Sequence, residues 1–128
     1  MAYKAANSTG GGQEFWDSVS STFASNDHVF YELYNEPHNN PTDRWMNGDS
    51  TYAGMLEMAA AVRKNSPDQM LVIGGGNGYA YDTESLIELD GKINDDLVLF
   101  NFHPYMGPYQ AGDASKSADG FESIVQTI

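Results

Sequence analysis

Three short apolar runs constrain this chain more than any other feature: Val29 to Tyr34, Met70 to Gly74 and Asp96 to His103. Each is rich in β-branched, aromatic or aliphatic residues, too short for a helix, and ends in asparagine, glycine or proline, so each reads as a strand. The second and third are apolar at successive positions, the pattern of parallel strands covered on both faces. Helical spacing fills the gaps. After Gly10-Gly11-Gly12, the residues Phe15, Trp16, Val19 and Phe23 form one stripe and predict a helix over 13–25. Asp49-Ser50-Thr51 offers N-caps to a second helix with Met55, Leu56, Ala59, Ala60 and Val62 on its apolar face, closed by Asn65-Ser66-Pro67. A short third helix is expected from Thr83 to Leu89. A fourth opens at Asp119, with Glu122 placed as in a capping box and Phe121, Ile124, Val125 and Ile128 inward. Helix and strand alternate throughout, which predicts an α/β fold of right-handed βα units on a parallel sheet.

At 128 residues, with 41 % hydrophobic content, one domain spanning 1–128 is expected, with a loose start through residue 12. There is no cysteine, and the histidines at 28, 38 and 103 lack zinc spacing, so neither a metal nor another cofactor is expected. Eighteen acidic residues against six basic ones give a formal charge of −12, which repels nucleic acid and anionic membranes. No apolar stretch approaches the ~20 residues of a membrane span. A neutral or cationic substrate fits this balance. Gly74-Gly75-Gly76-Asn77-Gly78 follows a strand but lacks the spacing of a dinucleotide-binding loop.

All three predicted strands end in polar clusters: Asn35-Glu36-Pro37-His38, Gly76-Asn77-Gly78-Tyr79 and Asn101-Phe102-His103-Pro104-Tyr105. In βα-barrels the catalytic groups sit on the loops after such strand ends. Side chains alternate along a strand, so Glu32 and Glu36 share one face, as do His103 and Tyr105. A carboxylate held at a strand end before a rigid turn suits acid catalysis of sugar transfer, which makes Glu36 the leading candidate. Glycoside hydrolysis normally needs two carboxyl groups, ~5 Å apart in retaining enzymes and ~6.5–9.5 Å apart in inverting ones. Glu32, Asp43, Asp49, Asp82 and Asp113 are the acids that the loops and strands offer as a second.

The segment Phe30-Tyr31-Glu32-Leu33-Tyr34-Asn35-Glu36-Pro37-His38 resembles the signature around the acid/base glutamate of glycoside hydrolase family 5, the cellulase family. His103-Pro104-Tyr105 resembles that family's His-x-Tyr at the sixth strand, and the segment from Pro67 to Gly76 resembles its fifth strand with the approach to it. The likeness runs from about residue 13 to 128. It implies a partial (β/α)8 TIM barrel of about three parallel strands, running from the helix before strand four to the helix after strand six. It further implies an endo-1,4-β-glucanase of retaining mechanism that takes β-glucan oligosaccharides or polysaccharides, with the parent enzyme secreted.

Carried onto this chain, the resemblance makes Glu36 the acid/base, has Asn35 hydrogen-bond the sugar 2-hydroxyl, and places His103 and Tyr105 in the reacting subsite. Trp45, Tyr79, Tyr81 and Tyr109 fall after the strands and are expected to stack on sugar rings. The family's nucleophilic glutamate ends its seventh strand, beyond the matched stretch, so the isolated chain is expected to be weak or inactive. A three-stranded barrel segment leaves its inner sheet face bare, and a homodimer or the missing barrel half is expected to cover it. Two alternatives stay open: a non-catalytic carbohydrate-binding or self-associating half-barrel, and specificity for mannan or xylan.

Overall fold

The computed structural model describes residues 2–3 and 11–103. The elements run β1 (Ala2–Tyr3), α1 (Gly12–Phe23), β2 (Tyr31–Glu32), α2 (Thr42–Asn47), β3 (Tyr52–Ala53), α3 (Met55–Arg63), β4 (Leu71–Gly74), α4 (Thr83–Ile93) and β5 (Val98–Asn101). β2, β4 and β5 form the expected parallel sheet, in that spatial order, with Tyr31 opposite Leu71 and Leu71 opposite Val98. The helix expected from Asp119 lies outside the described residues, as do Tyr105, Tyr109 and Asp113.

Alternation along the strands sorts the sheet into two faces. Tyr31, Leu33, Leu71 and Ile73 point to the helices and are buried with Met55, Met58, Ala59, Val62, Leu86 and Leu89. Burying each such side chain is worth about 1.5–3 kcal/mol relative to exposure, so this layer holds the sheet to α3 and α4. On the other face Phe30 and Leu99 remain 63 % and 49 % exposed, with Glu32 beside them. Asn101 crosses this face to donate to Glu32 Oε1 at 2.8 Å. The crossing requires Gly74, because a Cβ there would stand 2.7 Å from Asn101 Oδ1. Glu32 thus has an amide partner while remaining exposed.

α1 packs against α3. Trp16 and Val19 of its stripe lie against the core and Trp16 meets Tyr31 edge-on at 6.1 Å, but Phe15 and Phe23 are 51 % and 44 % exposed. Polar bonds complete the seam. Asn65 Nδ2 donates to Asp17 and Ser20, Ser66 Oγ donates to the Ser20 carbonyl, and the Tyr31 hydroxyl lies 3.0 Å from Ser66 Oγ.

Two features depart from the sequence reading. α2 occupies what reads as a loop, and β3 pairs antiparallel with β1. The second predicted helix accordingly starts late. Asp49 does not cap it; its carboxylate accepts from the backbone N–H groups of Thr51 and Tyr52, while α3 opens after Gly54 with Glu57 Oε2 accepting from the Gly54 N–H.

Candidate active site

β2 delivers Glu36. Its regular ladder is short, but Tyr31 N–H donates to the Met70 carbonyl and Leu33 N–H to the Val72 carbonyl. These bonds fix the chain up to the point where Asn35-Glu36-Pro37 turns out of the sheet. Pro37 is buried, and its carbonyl accepts from Ala80 N–H at 3.2 Å. A rigid, buried residue so anchored fixes the course of the backbone just after the carboxylate-bearing residue.

His103 reaches Glu36 from beyond β5. Its Nδ1 lies 3.0 Å from Glu36 Oε1, with the two side chains 25 % and 31 % exposed. An ionised carboxylate only accepts, so against ionised Glu36 the imidazole carries its proton on Nδ1 and donates it. The His103 backbone N–H also donates to the Ala80 carbonyl at 3.1 Å. Strand ends distant in sequence thus converge on one partly open pair.

The loop after β4 forms the third wall. Gly75 bridges to Ala80. Asn77 Oδ1 accepts from Asn39 N–H at 2.8 Å and from Gly78 N–H at 2.9 Å. Tyr79, 51 % exposed, stacks on His38 with ring centroids 4.6 Å apart and planes 20° apart. The His38 ring in turn holds Nδ1 3.0 Å from the Glu36 carbonyl oxygen, donating to it. Asn35 is exposed beside this wall, and Tyr81 is 46 % exposed farther along the loop.

Trp45 requires a correction. Expected on a loop as a sugar platform, it sits in α2 with no exposed surface. The indole packs beneath Gly76, where a Cβ would stand 2.8 Å from Trp45 Cδ2. Its Nε1 finds no hydrogen-bond partner among the described residues. The indole supports the floor of the loop after β4 and offers no face to a sugar. The cause is α2, which folds the residue back onto the core.

Among the described residues, the alternative acids are engaged elsewhere. Glu32 Oε1 accepts from Asn101 Nδ2 at 2.8 Å. Asp43 Oδ1 accepts from Asn47 Nδ2 at 2.7 Å, and Asp82 Oδ1 caps α4 through Ser85 N–H at 3.2 Å. Asp49 pairs with Arg44 at 2.8 Å, and the Thr51 and Tyr52 N–H groups, with that arginine, hold its carboxyl below the ordinary carboxylate value. His28 is exposed beside Asp27 and takes no part.

Sequence reasoning missed Ala80 at this site and placed Asn77 only as a member of a strand-end cluster. Both act through backbone geometry or a side-chain acceptor to the backbone, for which composition carries no signal.

A family profile described as cellulase, glycosyl hydrolase family 5, matches residues 2–128. Endoglucanase H of Acetivibrio thermocellus is 26 % identical over 117 residues, covering 91 % of this chain and 12 % of the relative. Endoglucanase C307 of Clostridium sp. (strain F1) is also 26 % identical over 117 residues, covering 88 % of this chain and 32 % of the relative. The chain thus spans a third or less of these curated relatives. Among solved structures, Cel5A (EG2) from Hypocrea jecorina superposes with a TM-score of 0.70 at 19 % identity, over 91 % of this chain and 40 % of that one. XacCel5A in complex with cellopentaose gives 0.65 at 17 % identity, over 96 % and 44 %. At such identities the likeness concerns the fold, and the parallel sheet with its helices is part of a (β/α)8 barrel.

Proposed function

The chain belongs to glycosyl hydrolase family 5, the cellulase family, and from that premise we propose that it is part of the catalytic region of an endo-1,4-β-glucanase, with Glu36 as the acid/base of a retaining mechanism. One observation supports this above all: Glu36 stands at the C-terminal end of a parallel sheet with its carboxylate 3.0 Å from His103 Nδ1. That end of a barrel is where catalytic groups gather. In this reading Glu36 protonates the departing glycosidic oxygen and later deprotonates the attacking water. His103 orients the carboxylate, Asn35 contacts the sugar 2-hydroxyl, and the open face of Tyr79 meets a sugar ring. β-Glucan chains are the proposed substrate; two of the similar solved structures are described as complexes, one with substrate and one with cellopentaose.

The second carboxylate is proposed to come from beyond this pair, because the acids of the described residues that could approach are committed as above. The bare face of Phe30 and Leu99 points the same way. Strands that close the barrel fit it better than a second copy, since two chains of charge −12 repel each other. Light scattering of the 128-residue chain at high concentration and moderate salt tests this; a stable dimer would restore the second copy as the cover.

The functional reading is tested by titrating the chain with cellopentaose and following amide signals at Asn35, Glu36, Tyr79 and His103. Shifts confined to these residues, with negligible release of reducing sugar from carboxymethylcellulose, are expected. No shift at millimolar sugar refutes the glucan assignment. Sustained hydrolysis lost in Glu36→Gln would refute the need for an outside carboxylate. Binding without turnover is also what a non-catalytic sugar-binding module would show. Joining the chain to the barrel strands that close it separates the two, because only the catalytic reading then predicts hydrolysis dependent on Glu36.

A further inference from the structure

The loop after β4 carries consecutive non-glycine residues in the left-handed region, Tyr79 at φ +62° and Ala80 at φ +65°. Side chains disfavour that conformation, so surrounding contacts must hold it in place, and such residues concentrate where geometry serves a site. Ala80 is fully buried and bonds in both directions, its N–H to Pro37 and its carbonyl to His103 N–H. This one residue therefore ties the acid's turn to the histidine's strand. Tyr79 is carried by the same twist over the His38 ring, whose Nδ1 donates to the carbonyl of Glu36 itself. Asn77 closes the far side by accepting from Asn39 N–H, and Asn39 also lies at positive φ, +53°.

We propose that Tyr79 is a positioning residue: stacked on His38, it locks the Glu36-Pro37-His38 turn so that the carboxylate stays aimed at His103 Nδ1. The inference rests on the reading of Glu36 as the acid, but it concerns geometry present without substrate. The carboxylate bond to His103 spans segments 67 residues apart in sequence. Ala80 bonds the backbones of Pro37 and His103 but not that of Glu36 itself. The stack acts nearer the acid, by holding the ring that bonds to the Glu36 carbonyl. Removing the tyrosine ring frees His38 to leave that carbonyl, and the turn then relaxes while the sheet beneath it stays intact.

Tyr79→Gly removes the ring with the rest of the side chain at a position where glycine accepts φ +62° without strain. Tyr79→Phe keeps the stack. The measurement is the long-range 1H–15N histidine spectrum of the full chain at alkaline pH, with His103 assigned by its loss in His103→Gln. The wild type should show His103 mainly as the Nδ1–H tautomer, held by the Glu36 carboxylate. In Tyr79→Gly that tautomer should cease to dominate while thermal stability is unchanged or raised; in Tyr79→Phe it should persist. Persistence in both variants overturns the proposal, and so does loss in both, which would show that the ring stack is not what matters. Should Tyr79→Gly fail to fold, His38→Asn removes the other half of the stack, and retention of the His103 tautomer there is equally fatal. Since no sugar is present, these outcomes are independent of whether the chain binds or cleaves glucan.

Discussion

Arg63, at the end of α3, should be the most costly charged residue to remove from this fold. Its Nε donates to Asp95 Oδ2 at 2.6 Å, and the remaining guanidinium nitrogens donate to Asp95 Oδ1 and to the carbonyls of Ser66, Gln69 and Leu97 at 2.7–3.2 Å. Those carbonyls lie just before β4 and β5, so one side chain fastens the helix to the start of two strands. The pair is 19 % and 17 % exposed, little enough that water replaces the lost donors poorly. Breaking a buried pair costs about 3–5 kcal/mol, and the residual exposure here favours the lower end, about 3 kcal/mol. Against a total of about 5–15 kcal/mol for a domain, Arg63→Ala should remove a large share of stability. In urea, with a slope of about 1.5 kcal/mol per molar, the midpoint should fall by about 2 M. Arg63→Lys, which keeps the charge but not the planar fork, should recover less than half of that loss.

Acid makes the same point independently. Burial raises the Asp95 carboxyl, but the Arg63 hydrogen bonds, the Leu97 N–H and the arginine charge outweigh it and leave the group below its ordinary value. A depressed carboxyl contributes stability that is complete above the unfolded value, about 3.9. That contribution disappears as pH falls through the lower folded value. Asp95→Asn should therefore be less stable than wild type at neutral pH, and the gap should narrow below about pH 4. A midpoint for Arg63→Ala within about 0.5 M of wild type, with unchanged slope, would refute the assignment of Arg63 as the clamp of the sheet.

Other substitutions probe the remaining joints. Gly74→Ala should displace the Asn101 side chain from Glu32 and cost about 1–3 kcal/mol in urea unfolding; a neutral result would show that the crossing is not tightly packed. Tyr31→Phe removes a buried hydroxyl while Ser66 keeps its bond to the Ser20 carbonyl, so a loss of about 1 kcal/mol is expected by calorimetry. Trp45→Phe loses no hydrogen bond and should cost well under the ~3–5 kcal/mol of Trp45→Ala; equal losses would reveal a partner for Nε1.

The sequence carried the main architecture because its signals were long or repeated. Three apolar runs and the stripes of α1 and α3 correspond to real elements, and the strand-end clusters led directly to Glu36 and His103. Shorter elements left no such trace. α2 has six residues, with only Trp45 and Met46 buried, and its tryptophan therefore read as an exposed platform. The pairing of Ala2–Tyr3 with Tyr52–Ala53 is a backbone match between distant dipeptides, which no periodicity announces. Asp49 illustrates a local ambiguity: the same residue type serves as helix cap or turn acceptor, and only the position of Gly54 decides between them. At the site, the side chains were legible by type, whereas the roles of Ala80 and Asn77 depend on φ angles and carbonyl directions.

The two ends of the sheet differ in what holds them. At the N-terminal end, Arg63 and the Tyr31–Ser66–Ser20 bonds satisfy buried polar groups with side chains whose removal acts mainly on stability. At the C-terminal end, Asn39, Tyr79 and Ala80 adopt disfavoured backbone angles around a partly open carboxylate–imidazole pair. Disfavoured angles persist only if the scaffold below outweighs them. The clamp at one end is therefore a condition for the geometry at the other. It follows that Arg63→Ala should loosen the Glu36–His103 contact only by populating unfolded chains, with both signals lost together. Tyr79→Gly should loosen that contact in chains that remain folded. Measuring the His103 tautomer and the unfolding curve on the same two variants distinguishes these routes, and identical behaviour in both would show that the two ends do not act separately.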